Sequence, residues 1–94
     1  MSYEVRLDDA AVRDFEKLPG NIRAALLARI QALAEDPRPA GAKVLTGELS
    51  GSYRLKVRRV YRIGFDVDDA AQVVTVWGAG HRDKFYQNAR WRGP

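Results

Sequence analysis

The chain has 94 residues, 46% apolar and 30% charged, with a net charge of +4 and no cysteine. At this length roughly 60 to 65% of the unfolded surface is buried on folding, so one small domain spanning residues 1–94 is expected, with its function on an exposed face rather than in a deep pocket. The absence of cysteine excludes disulfides, thiolate nucleophiles and sulfur-ligated zinc, the single histidine excludes a multi-histidine metal centre, and no window approaches the ~18 apolar residues of a membrane span. A cytoplasmic protein without metal or cofactor is the expectation.

Tyr3, Val5 and Leu7 alternate with Glu4 and Arg6, the period of a strand with one buried face. Asp8 or Asp9 can cap a helix whose apolar positions are Val12, Phe15 and Leu18, and Pro19-Gly20 stops it. Asn21 can cap a second helix carrying the stripe Ile22, Leu26, Ile30, Leu33 until Asp36-Pro37. So short a turn between them predicts an antiparallel hairpin with one shared apolar face. The stretch "DPRPAGAKVLTGELSG" reads as loop, with Lys43 to Leu45 and Glu48-Leu49 as short ordered pieces.

Ser52 to Val57 puts Tyr53, Leu55 and Val57 on one face and Arg54 and Lys56 on the other, and Val60 to Val67 sets Tyr61, Ile63 and Phe65 against Arg62 and Gly64. Arg58-Arg59 is a poor pair for a two-residue turn needing positive φ, so a longer loop including Val60 is predicted. "DVDDAAQ" turns the chain into Val73 to Trp77, apolar on both faces like a central strand. Residues 82–90 are expected to form a short last helix. The fold class is α+β: a strand, an antiparallel helical hairpin on one face of a mainly antiparallel sheet, a C-terminal three-stranded meander and a short helix.

The second half is the basic half. Residues 1–49 hold seven cations and eight anions, and residues 50–94 hold nine cations and four anions. If the apolar strand faces meet the helices, Arg54, Lys56 and Arg62 share the opposite face, and Gly64 leaves a gap beside them. That surface reads either as a solvated basic face or as a seat for a polyanion. "GAG" after Trp77 is flexible enough to bend the chain and carry His81, Arg82 and Tyr86 to the rim, Arg82 and Tyr86 lying on one helix side. His81 reads either as a helix-start residue or as a site residue, and Tyr86 equally as core. A cationic surface without a carboxylate pair suits neither glycoside hydrolysis nor two-metal catalysis, and Asp66, Asp68 and Asp69 sit at a turn. It is compatible with metal-free cleavage of an RNA phosphodiester.

Four segments in order resemble the RelE/ParE superfamily of bacterial toxin–antitoxin systems, and within it the RelE-like messenger RNA interferases. They are the strand–hairpin–meander order, "KLPGNIRAALLARIQALAEDPR", "LTGELSGSYRLKVRRVYRI" and "GAGHRDKFY", which is similar to a Gly-His-Arg-x-x-x-Tyr close. The resemblance implies a RelE-like toxin that cuts mRNA on the ribosome without metal, leaving 2′,3′-cyclic phosphate and 5′-hydroxyl ends and inhibiting translation. It implies Arg54 and Lys56 at the scissile phosphate, with Lys56 as candidate base, since a guanidinium keeps its proton. Arg62 and Arg82 are implied as transition-state cations and Tyr86 as the residue stacking on the base; beside them His81 is expected to assist as proton donor, and Arg58, Arg59 and Lys84 to make further RNA contacts. A RelB-like antitoxin, the ribosome and mRNA are the implied partners, and a heterotetramer with the antitoxin is one assembly this allows. The alternatives are a ParE-like inhibitor of gyrase and a non-toxic relative that only binds an antitoxin.

Overall fold

In the computed structural model, which describes residues 2–45 and 51–85, the first alternating segment forms β1 (Glu4–Leu7), with Tyr3, Val5 and Leu7 packed on the core. Asp8 ends the strand and caps α1 (Asp9–Glu16), its Oδ1 accepting from the Ala11 amide at 2.8 Å. The buried stripe of α1 runs one residue earlier than Val12, Phe15, Leu18. Ala11 is fully buried and Val12 is 43% exposed, because a methyl side chain lets the helix approach β5 closely, with Phe15 and Leu18 following at i+4 and i+7.

Pro19, rather than Asn21, is the N-cap of α2 (Gly20–Ala32). Its backbone is already in cap geometry (φ −58°, ψ 149°), and its carbonyl accepts from Ile22 and Arg23, so Asn21 falls inside the first turn with no capping bond to make. Leu26, Ile30 and Leu33 are buried as the stripe predicts, with Ile22 packed at the edge.

β2 (Lys43–Val44) begins the sheet's far edge, while Glu48-Leu49 lies outside the described residues. β3 (Tyr53–Val57), β4 (Tyr61–Asp68) and β5 (Val73–His81) form the antiparallel meander. The sheet order is β1-β5-β4-β3-β2, with β1 parallel to β5 and every other pair antiparallel. Leu55, Val57, Ile63, Phe65, Val74 and Val76 meet Ala11, Leu26, Ile30 and Leu33 in one core on the helical side.

β5 departs from expectation in two ways. It does not stop at Trp77 but runs through Gly78-Ala79-Gly80 to His81, because Arg62 and Gly64 of β4 pair with Gly80 and Gly78 and keep it straight. The register also shifts between Gly64 and Phe65, which face Gly78 and Val76, so Trp77 is an extra residue in a bulge. Residues 82–85 form a helical turn, and the remainder of the predicted last helix lies outside the described residues. No helix among the described residues is long and apolar enough to cross a membrane.

Candidate nucleic-acid interface

Strict alternation fixes which side chains share the non-helical face. Lys56, Arg62 and Gly80 stand in one row across β3, β4 and β5, and Arg54, Gly64 and Gly78 in the next. Arg54, Lys56 and Arg62 therefore project to one side as expected, but they are not equally available. Lys56 is exposed and Arg54 is partly buried, with its Nη1 enclosed and without a hydrogen-bond partner. Arg62 is only 7% exposed; its Nη1 donates to the Arg59 carbonyl at 2.8 Å and to the Tyr61 carbonyl at 3.1 Å.

The middle of this face is not open. A Cβ on Gly64 would lie 2.5 Å from Cη2 and Cζ2 of Trp77, so the indole fills the gap read from the sequence as room for a ligand. Trp77 stacks on Phe85 with ring centroids 5.4 Å apart and with Leu45 alongside, a second small apolar cluster on the non-helical face. The bulge turns Trp77 to this side, and glycine at 64 admits its ring. The open cationic surface therefore lies at the end of the sheet.

There the chain makes the three-residue connection Arg58-Arg59-Val60, the longer loop predicted, with Arg58 at φ 49° and Arg59 at φ 67°. Two arginines in the left-handed region carry backbone strain, which the Arg62 bond to the Arg59 carbonyl helps to hold. The Val60 carbonyl accepts from the Arg82 amide at 2.7 Å and ties the loop to the end of β5. The result is a groove of about 490 Å³ lined, among the described residues, by Lys56, Arg58, Arg59, Val60 and Arg82, four cations and no carboxylate. Arg82 is exposed, and its Nε stands 3.6 Å from the Asp83 carboxylate outside that lining.

His81 is not in this groove. It pairs with Tyr61, a residue of the helical face, and its ring meets the Tyr61 ring edge-on at 5.8 Å. Its Nδ1 accepts from the Asp83 amide at 3.2 Å, so the imidazole acts as the cap of the helical turn that starts at Arg82. The expectation that His81 and Arg82 share one rim is corrected: His81 ends β5 on the helical face beside Tyr61, and of the two only Arg82 reaches the groove. Lys84 likewise lines a second cavity with His81, on the side of α1. Tyr86 lies outside the described residues. Sequence reasoning missed the Trp77–Phe85 stack, for which the one available signal was a large aromatic residue among apolar positions facing both sides of β5.

Comparison with known proteins places this arrangement among related chains. A family model described as the ParE toxin of the type II toxin–antitoxin system parDE matches residues 5–86. The toxin RelG of Mycobacterium tuberculosis is 34% identical over 88 residues, 93% of this chain and 99% of RelG. The toxin–antitoxin complex RelBE2 of Mycobacterium tuberculosis superposes with a TM-score of 0.78 at 32% identity, covering 87% of this chain and 100% of the matched one. A free Escherichia coli RelE carrying two arginine-to-alanine substitutions superposes with a TM-score of 0.77 at 28% identity over 98% of each chain.

Proposed function

This chain belongs to the RelE/ParE superfamily of type II toxin–antitoxin toxins, and from that premise we propose that it is an mRNA interferase acting in the cytoplasm on ribosome-bound message. It is the toxin component of its system, RelE-like in fold, with a RelB-like antitoxin as partner. The observation that carries the nuclease reading is the groove at the end of the sheet, where Lys56, Arg58, Arg59 and Arg82 converge without a carboxylate. A polyanion gains there from every lining charge.

The reaction proposed is transesterification within the RNA strand. The 2′-oxygen attacks the adjacent phosphorus as its proton leaves, the bond from phosphorus to the 5′-oxygen breaks, and a proton reaches that oxygen, giving a 2′,3′-cyclic phosphate and a 5′-hydroxyl. Of the groove-lining side chains only Lys56 has an amine that, in its neutral form, carries a lone pair, and that amine is assigned the 2′-hydroxyl proton. Arg58, Arg59 and Arg82 are assigned to the phosphate as negative charge accumulates on it. Arg62 and Arg54 contribute charge from beneath, where the surrounding protein screens less than water does. Tyr86 is assigned the stacking of a splayed base, and His81 holds the turn that aims Arg82.

The test is to induce the chain and sequence 5′-hydroxyl RNA ends, with Arg82→Ala and Lys56→Ala as comparisons. Cuts within codons that fall by about 10²- to 10³-fold in either variant are expected, the usual size for losing a transition-state contact. DNA breaks with an SOS response and no RNA ends would replace this reading by the gyrase one. Harmless expression of a chain that still binds its antitoxin would leave only the binding role.

A further inference from the structure

On the helical side of the sheet end lies a second cavity of about 500 Å³, whose lining includes Asp14, Lys17, Tyr61, Ala79, His81 and Lys84. We infer that this cavity is a second nucleotide subsite, holding a nucleoside of the same RNA strand that occupies the cationic groove. The inference rests on the RNA-cleavage reading and extends it to a position away from the scissile bond.

Continuity is the first argument. Val60 lines the groove and Tyr61 the cavity; Arg82 lines the groove and His81 the cavity. Tyr61 begins β4 and His81 ends β5, while Val60 and Arg82 are the residues just beyond those strand ends, so the two linings meet at the end of the sheet. A strand leaving the groove past Val60 and Arg82 arrives directly at Tyr61 and His81.

The chemistry of the lining is the second. The Tyr61 and His81 rings stand edge to face at 5.8 Å, a pair of apolar surfaces against which an unpaired base can stack. Nδ1 of His81 is occupied by the Asp83 amide, and the Asp14 Oδ2 accepts from the Ala79 amide at 3.1 Å, closing the edge of β5 beyond the end of β1. Among the described lining residues, Lys17 and Lys84 oppose the one carboxylate of Asp14, a surplus of one positive charge. That matches one phosphate attached to an uncharged sugar and base. An acidic peptide segment would need a larger surplus, and the volume lies within the ~300 to 1,000 Å³ of ordinary small-ligand sites.

The experiment places a benzophenone cross-linker at position 17 and, separately, at position 59, and irradiates toxin bound to ribosomes programmed with a message carrying 2′-deoxyribose at the cleavage position. Cross-links to the message from both positions are expected. A message cross-link from position 59 alone, or a link from position 17 to ribosomal RNA or protein, overturns the second subsite and leaves the cleavage reading intact. No message cross-link from either position fails both. In parallel, Lys17→Glu should raise KM for programmed ribosomes by roughly 5- to 10-fold at unchanged kcat and remove about one unit of salt slope, as loss of one phosphate contact does. An unchanged KM overturns the subsite.

Discussion

Arg62 holds Arg59: its Nη1 donates to the Arg59 carbonyl at 2.8 Å, while Arg59 itself stands at φ 67°. One arginine of the basic face is thereby turned inward so that another is displayed at the hairpin tip. The arrangement accepts strained backbone at two consecutive bulky residues in order to present their guanidinium groups beside Lys56 and Arg82.

Replacing Arg58-Arg59 by Asn-Gly should separate stability from activity. Each residue in the left-handed region costs roughly 1 kcal/mol or more unless it is glycine or asparagine, so the double variant should gain about 1 to 2 kcal/mol, read as a Tm higher by about 4 to 8 °C per kcal/mol. The Arg62 bond survives because its acceptor is backbone. RNA cleavage should nevertheless fall by about tenfold or more with two groove cations gone. A stabilised variant of full activity would show that the hairpin arginines do not meet substrate.

Gly64→Ala should destabilise the fold by about 1 to 3 kcal/mol, since the new methyl would stand 2.5 Å from two atoms of a Trp77 ring already stacked on Phe85. Gly80→Ala is the control: nothing lies within 4 Å of its hypothetical Cβ. Urea midpoints of the two variants measure the difference, and equal midpoints would mean the indole moves aside freely.

Gly64 also marks where the sequence stopped being legible. The period of α2 and the alternation of β3 and β4 are local patterns, and they correctly sorted Leu26, Ile30 and Leu33 into the core and Arg54, Lys56 and Arg62 onto the other face. A bulge leaves no such pattern, because one extra residue is defined only by the partner strand; Trp77 over Gly64 was therefore invisible, and an occupied gap looked like a vacant one. The choice between Ala11 and Val12 depends on how closely α1 approaches β5, again a tertiary quantity. A shared rim for His81 and Arg82 requires a bend at Gly78-Ala79-Gly80. Extended backbone through those residues instead sets His81 opposite Tyr61 at the end of β5, and Arg82, the first residue of the helical turn, lines the groove.

His81→Asn and His81→Ala should differ if the imidazole matters as a cap. Asparagine supplies a side-chain oxygen for the Asp83 amide and keeps the turn at 82–85 in place, whereas alanine leaves that amide without its acceptor. A kcat close to wild type in His81→Asn, with KM raised by loss of the ring beside Tyr61, and a kcat lower by about tenfold in His81→Ala are expected, the latter through displacement of Arg82. Equal, severe losses with unchanged circular dichroism would instead give the imidazole a chemical role.

At the opposite end of the sheet Asp69 links three elements: Arg38 donates to both its oxygens at 3.0 and 2.9 Å, and the Tyr3 hydroxyl donates at 2.7 Å. The Arg38 hydrogen bonds, then that of Tyr3, hold the Asp69 carboxyl below its ordinary value of 3.8. Its contribution to stability is therefore complete above about pH 5 and fades as pH falls through 3.8 towards the lower folded value. The same carboxylate raises the Tyr3 phenol above its ordinary 10.0, so the Tyr3 contribution is intact below that pH and is lost as pH rises through the higher folded value. Asp69→Asn should flatten the Tm profile at both extremes while leaving RNA cleavage unchanged, because the clip and the groove lie at opposite ends of β4. All three groups are solvent-accessible, so the difference from wild type should shrink in about 1 M salt. A wild-type profile that matches Asp69→Asn at low ionic strength would show that the clip adds nothing to stability.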